Sequence, residues 1–277
     1  KMVQDIKIGD MLMGDDSTPR NVLSLATGED EMYDVISVKG DKYTVNSEHI
    51  LSLKPSGLNT MRQIRTINND VKYKVQIFNK ETYKLNYKTF CNLELAEKYL
   101  MDNTPSDTTV DICIKDYLNI NDKTVKNALK GYKTGVEFEE KPVIFNPYII
   151  GVWLGDGASA KALISSQDSK ILHDLRNELK TENLNLSYVS KYDYNIVGDL
   201  HKKIPNENTF KMTLKHYDLF NNKHIPDIYK YSSETQRLEL LKGLMDTDGS
   251  VSKQGYCEFT NKSKRLIEDL AYVLRSL

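Results

Sequence analysis

Two stretches of this chain end alike, and that echo constrains the fold more than any other feature. Asn146-Pro147 sets a capping side chain before a proline at the first helical position. Tyr148, Ile149, Ile150, Val152, Trp153 and Leu154 follow almost without a polar break, so the helix must be buried nearly all round. Downstream, Ser233 with Gln236 forms a capping box that opens a second helix through Leu238, Leu240, Leu241, Leu244 and Met245. The first helix closes on Gly155-Asp156-Gly157 and the second on Thr247-Asp248-Gly249. A mid-helix glycine costs about 1 kcal/mol relative to alanine. Gly151 and Gly243 at matching positions therefore predict two helices whose backbones touch.

The segments that follow echo as well. Ser169-Lys170-Ile171-Leu172-His173-Asp174-Leu175 parallels Ser263-Lys264-Arg265-Leu266-Ile267-Glu268-Asp269-Leu270 with one residue inserted. Two copies of a helix, strand and helix unit predict a pseudo-twofold arrangement that brings Asp156 and Asp248 together at the helix ends. Paired carboxylates repel unless they share a proton or a divalent cation, and hard oxygen donors select Mg²⁺ or a similar ion. Such a centre suits phosphodiester hydrolysis. An Asp-Gly pair taken singly is more often a plain surface turn; two copies on one repeat favour the site.

Ahead of residue 146 the chain reads differently. Runs at Asn21 to Ala26, Met32 to Val38 and Ile50 to Lys54 are separated by Gly14-Asp15-Asp16, Gly28-Glu29-Asp30 and Lys39-Gly40-Asp41. Turns spaced in this way predict short antiparallel strands and a compact all-β unit. Between about 60 and 140 the pattern predicts a helix near Leu93 to Met101 and helical turns between Asp116 and Leu129. Lysines and tyrosines interleave from Tyr73 to Lys88, a pattern that suits either a DNA-contacting insertion at about 60–110 or a solvated β-surface.

At 277 residues the chain has room for two cores, and 39% hydrophobic with 28% charged residues argues against disorder. The formal net charge of −1 means that any DNA surface must come from local lysine clusters. Cys91, Cys113 and Cys257 form neither a CxxC pair nor a disulfide framework, suit an intracellular protein of the cytoplasm or nucleus, and read as core residues. No run approaches the roughly 20 apolar residues that span a bilayer. No zinc-ligand spacing or phosphate-binding loop motif is present.

The two acidic helix ends resemble the paired motifs of LAGLIDADG homing endonucleases. That resemblance implies that Asp156 and Asp248 bind the catalytic metal, Mg²⁺ or another divalent cation. It also implies that Lys223, in Lys223-His224-Ile225-Pro226, assists water activation; a phosphate contact or a solvated loop charge is the other reading of that lysine. The first motif departs from the family pattern in having Leu154 where the second has Asp246. The front of the chain resembles the Hint splicing domain of inteins, through Ile6-Lys7-Ile8-Gly9-Asp10, through Tyr43-Thr44-Val45-Asn46-Ser47-Glu48-His49, and through Val110 to Phe138 leading to the insert. In that family His49 would protonate the leaving amide nitrogen and Asn46 would hold the strained peptide.

The implied protein is α+β: a Hint-like splicing domain over residues 1–145, then an endonuclease domain over 146–277. It would be a monomer with internal pseudo-twofold symmetry, partnered by double-stranded DNA and by host exteins, with no membrane role. The resemblance also implies that the chain stops short of a complete intein at both ends, without the N-terminal nucleophile, the C-terminal His-Asn or the close of the second repeat. Candidate DNA contacts on β-ribbons are Lys161, Gln167, Lys191, Tyr192, Tyr194, Lys211 and Lys215. A DNA-binding LAGLIDADG protein or a degenerate intein without cleavage is the alternative.

Overall fold

A computed structural model of the chain describes residues 1–37, 42–106, 108–198 and 209–277. The turn expected at Lys39-Gly40-Asp41 lies outside them. The contacts divide the chain into two compact units, one formed by Lys1–Leu23 with Thr134–Leu277 and the other by Ser24–Lys133. The larger unit opens with a hairpin of β1 (Met11–Met13) and β2 (Pro19–Asn21). The strand expected from Asn21 to Ala26 therefore keeps only its first residue.

The smaller unit is rich in strands. β3 (Met32–Val35) pairs with β4 (Tyr43–Asn46), and β5 (Ile50–Pro55) lies between β9 (Val110–Cys113) and β10 (Leu129–Lys130). β6 (Thr60–Arg65), β7 (Val71–Asn79) and β8 (Lys84–Phe90) form an antiparallel meander. The predicted helices are α1 (Leu93–Asn103), capped by Asn92, and the short α2 (Ile114–Leu118) and α3 (Lys123–Ala128), the last capped by Asp122. Leu51, Phe78, Ile112, Ile114 and Val125 centre the core. In the lysine and tyrosine stretch, Lys74 Nζ lies 4.1 Å from the Tyr87 ring centroid and Lys88 Nζ 4.5 Å from that of Tyr99. These lysines thus cover aromatic rings of their own unit.

In the larger unit, α4 (Pro147–Asp156) is buried from Pro147 to Leu154, as its unbroken apolar run requires. The Asn146 side chain accepts from Tyr148 N and donates to Glu178 Oε2 at 2.7 Å, which fixes the helix start. A three-stranded sheet follows: β11 (Leu163–Ser165), then β12 (Leu184–Ser190) and β13 (Asp193–Gly198), with β13 in the middle. α5 (Ser169–Thr181) packs on β12, and α6 (Thr209–His216) and the short α7 (Asp227–Lys230) lead to α8 (Glu234–Asp248). The chain then runs through a hairpin of β14 (Gly249–Val251) and β15 (Cys257–Phe259) into α9 (Lys264–Ser276).

α8 carries the predicted capping box but buries one face only, through Arg237, Leu240, Gly243 and Leu244. Leu238, on the same helix, is exposed. The buried Arg237 donates to the carbonyls of Ser232, Ser276 and Val136, so its charge spreads over backbone acceptors that join the start of α8 to the end of α9. All three cysteines are free, and Cys91 and Cys257 are exposed, against the core placement expected of them.

A paired-carboxylate site at the helix ends

α4 and α8 cross at their glycines, and the contacts are reciprocal. A Cβ placed on Gly151 would press on Leu240 O, Leu244 N and Gly243 Cα; one placed on Gly243 would press on Tyr148 O, Val152 N and the Gly151 carbonyl carbon. Each neighbour of one glycine has its counterpart among the neighbours of the other, which is the signature of an internal twofold. The symmetry extends past the helices. Gly157 bridges Ile164 as Gly249 pairs with Phe259, and in both copies the strand partner stands four residues ahead of the next helix cap, Asp168 or Ser263. Because the first of these caps is Asp168 and not Ser169, α5 and α9 align from their caps without a gap. The apparent insertion belongs to the longer hairpin between β14 and β15.

Asp156 and Asp248 are the last residues of α4 and α8. Burial pushes the Asp156 carboxyl up, and the neighbouring Asp248 charge pushes it further, while Lys223 and a hydrogen bond from Ser166 pull it back. Burial brings the Lys223 ammonium down to about 8, against the opposing pull of Asp248 and Asp156. Lys223 Nζ donates to Gly155 O at 2.9 Å and stands 5.4 Å from the Trp153 ring centroid. Asn261 Nδ2 donates to Asp248 Oδ2 at 2.6 Å. The structure therefore gathers Asp156, Asp248 and Lys223 in one place.

Asp246 has a different role. The Tyr148 hydroxyl donates to its Oδ2 at 3.0 Å, and burial together with this acid holds that hydroxyl well above the usual tyrosine range. Among the described residues no three His, Cys, Asp or Glu side chains gather as a metal cage. Two carboxylates in a half-buried place with excess negative charge nevertheless suit Mg²⁺, which keeps waters and commonly takes one or two carboxylates plus substrate phosphates.

Asn46 closes β4 and His49 stands in the turn between β4 and β5, both in the smaller unit and both exposed. His49 N donates to Asn46 O at 3.2 Å, and His49 O accepts from Ile114 N at 3.1 Å. Beside them, Asp30 accepts from Ser47 Oγ at 3.1 Å and from Glu31 N at 2.8 Å. The turn is thus tied down on both sides.

The structure splits the candidate DNA contacts. Lys161 precedes β11, with its carbonyl accepting from Trp153 Nε1 at 3.0 Å, and Gln167 is exposed beyond that strand. Lys191 and Tyr192 form the tip between β12 and β13, where Lys191 takes a φ of 43°. Tyr194 lies against Tyr188 and beneath Arg176 and packs on the core. Lys211 and Lys215 lie on α6, so the ribbon placement expected of them does not hold.

Comparison with known proteins fits this geometry. Residues 1–130 match the model of the Hom_end-associated Hint domain, and residues 235–277 match that of the LAGLIDADG-like domain. The chain belongs to the inteins that carry a LAGLIDADG-type endonuclease domain. Over 142 residues this intein is 34% identical to the replicative DNA helicase DnaB of Mycobacterium intracellulare, a stretch covering 51% of the chain and 20% of that protein. The intein thus spans about a fifth of the relative it matches. DNA binding comes with the LAGLIDADG family, and among the described residues no helix is long and apolar enough to cross a membrane. Sequence reasoning missed Tyr148 as the partner of Asp246 and, in this intein's paired site, Ser166 and Asn261. The signal for the last two is their position two residues ahead of a helix cap.

Proposed function

We propose that this intein is a site-specific homing endonuclease that makes a metal-dependent double-strand cut in DNA, joined to the protein-splicing domain of the complete precursor. The observation that carries the reading is the meeting of Asp156, Asp248 and Lys223 at the ends of two glycine-crossed helices. Asp156 and Asp248 would hold the divalent cation, whose chemistry is to polarise a phosphate and lower the pKa of a bound water. The two carboxylates end helices related by the internal twofold, which suits a cut in each of two antiparallel strands. Lys223, with an amine brought to about 8, can take up or hold a proton beside the attacking water near neutral pH. Lys161, Gln167, Lys191 and Tyr192 are the DNA contacts this reading retains. In the splicing half, the backbone bonds of the turn support His49 as the residue that protonates the leaving amide, with Asn46 aligning the peptide.

The relative is a DnaB helicase, so the target duplex is an uninterrupted DnaB-type coding sequence. The test is cleavage of that duplex, with Mn²⁺ or Mg²⁺ binding followed by calorimetry, in the wild type and in Asp156→Asn and Asp248→Asn. Cleavage and binding that need both acids support the reading. DNA binding that survives without cation binding would identify a non-cutting DNA-binding protein instead.

A further inference from the structure

We infer that Ser166 and Asn261 are a symmetric pair of positioning residues, each aiming one motif carboxylate by bridging it to the N-cap of the next helix. The inference rests on the endonuclease reading above. Each residue stands two positions ahead of a cap, Ser166 before Asp168 and Asn261 before Ser263. Each stands between a motif carboxylate and that cap. Asn261 Nδ2 donates to Asp248 at 2.6 Å while Asn261 Oδ1 accepts from Ser263 N at 2.8 Å. Ser166 faces Asp156 closely enough for its hydroxyl to hold that carboxyl down, and its Oγ accepts from Asp168 N at 3.4 Å. A hydroxyl and an amide can both donate at one end and accept at the other, which makes different residue types equivalent here.

The capping turn is a rigid anchor, because each cap side chain also takes backbone N–H groups of its helix. In the second copy the anchor reaches further. Ser263 Oγ donates to Lys223 O at 2.8 Å, and Arg265 Nη1 donates to Asn222 Oδ1 at 3.1 Å. The start of α9 therefore fixes both Asp248 and the backbone that delivers Lys223. Ser166 is itself buried, so its hydroxyl cannot trade Asp156 for bulk water. Groups that orient a metal-binding side chain in this way typically govern affinity by about 10- to 100-fold.

The test is calorimetric titration of Mn²⁺ alone into the full chain, comparing wild type with Asn261→Ala, Asn261→Ser and Ser166→Ala, with a thermal midpoint for each. Asn261→Ala is expected to weaken Mn²⁺ binding about tenfold or more. Asn261→Ser, which copies the first repeat, is expected to recover most of it, a rescue that a purely structural role does not give. Ser166→Ala tests the other arm should Asn261→Ala fail to fold. Wild type that binds while the alanine variants bind equally well overturns this inference alone. So does an Asn261→Ser variant as weak as Asn261→Ala at an unchanged midpoint. Wild type that does not bind Mn²⁺ overturns the endonuclease reading and this inference with it.

Discussion

Replacing Gly151 by alanine sets two opposed effects against each other at one atom. Helix propensity favours alanine by about 1 kcal/mol. Against that, the new methyl meets Leu244 N at 3.0 Å and Gly243 Cα at 3.1 Å, with Leu240 O nearer still. All three are backbone atoms, so no side chain can swing away. Ordinary contact begins near 3.5 Å, and the helices must separate by about 0.5–1 Å, a gap that forfeits a quarter to a half of each dispersion contact along the crossing. Overpacking of this kind costs roughly 1–3 kcal/mol, sometimes more. Because Leu240 O is so close, the top of that range applies, about 3 kcal/mol, and less the propensity gain of about 1 the expected net loss is about 2 kcal/mol, which lowers the thermal midpoint by about 4–8 °C in a unit of this size. Gly243→Ala, which would meet Val152 N at 2.8 Å, should behave alike. Gly198→Ala in β13 has nothing within 4 Å and serves as the control. Calorimetric unfolding decides the matter: a Gly151→Ala chain as stable as wild type would refute the close crossing and, with it, the proximity of the two acids.

Asn146→Ala removes the cap of α4 and the bond to Glu178, and should cost about 1 kcal/mol in urea unfolding. Lys223 gives a pH signature. Its folded value of about 8 lies below the ordinary 10.5, so between those pH values the unfolded chain binds more protons and stability rises with pH. Below pH 8 the folded chain bears the full cost of the buried ammonium, at most about 3 kcal/mol and less after solvent screening. The urea midpoint of wild type should therefore gain on that of Lys223→Met from pH 8 to pH 10, and parallel curves would sink the idea. For DNA binding, Lys161→Ala and Lys191→Ala should each reduce the salt dependence of duplex affinity by about one counterion. A salt slope unchanged in both would move the DNA surface elsewhere.

The paired helices were legible because their constraints are local and repeated. The caps at Asn146 and Ser233 and the glycines at matching positions each carry a backbone requirement that a sequence displays openly. The strands ahead of residue 146 were legible as a class, but not at their ends: Leu23 to Ala26 reads as part of a strand yet lies in none, while Val22 still bonds Gly9 and Asp10. The second helix reads as apolar through Leu238, Leu240, Leu241, Leu244 and Met245, yet it buries a single stripe, which leaves Leu238 outside. Ser166 and Asn261 were hidden for a different reason. Their partners stand across a hairpin of different length in each copy, so direct alignment of the two repeats misses their equivalence, and only the caps reveal it.

The same symmetry explains why the first motif can lack an acid where the second has Asp246. Counting from the two glycines, Leu154 matches Asp246 and Leu240 matches Tyr148. One copy pairs a hydroxyl with a carboxylate at 3.0 Å; the other has leucine at both matching positions, each fully buried. The departure at Leu154 therefore goes with a second departure at Leu240, and the two replace a polar pair by an apolar one. Introducing Leu154→Asp alone buries a carboxylate with no hydroxyl to receive it. That should cost about 3 kcal/mol or more unless the acid stays protonated. Adding Leu240→Tyr restores the donor and should recover part of the loss. A double-mutant cycle on thermal unfolding measures the coupling. Additive losses would mean that the two positions do not answer one another and that Leu154 reflects a local packing need of α4 instead.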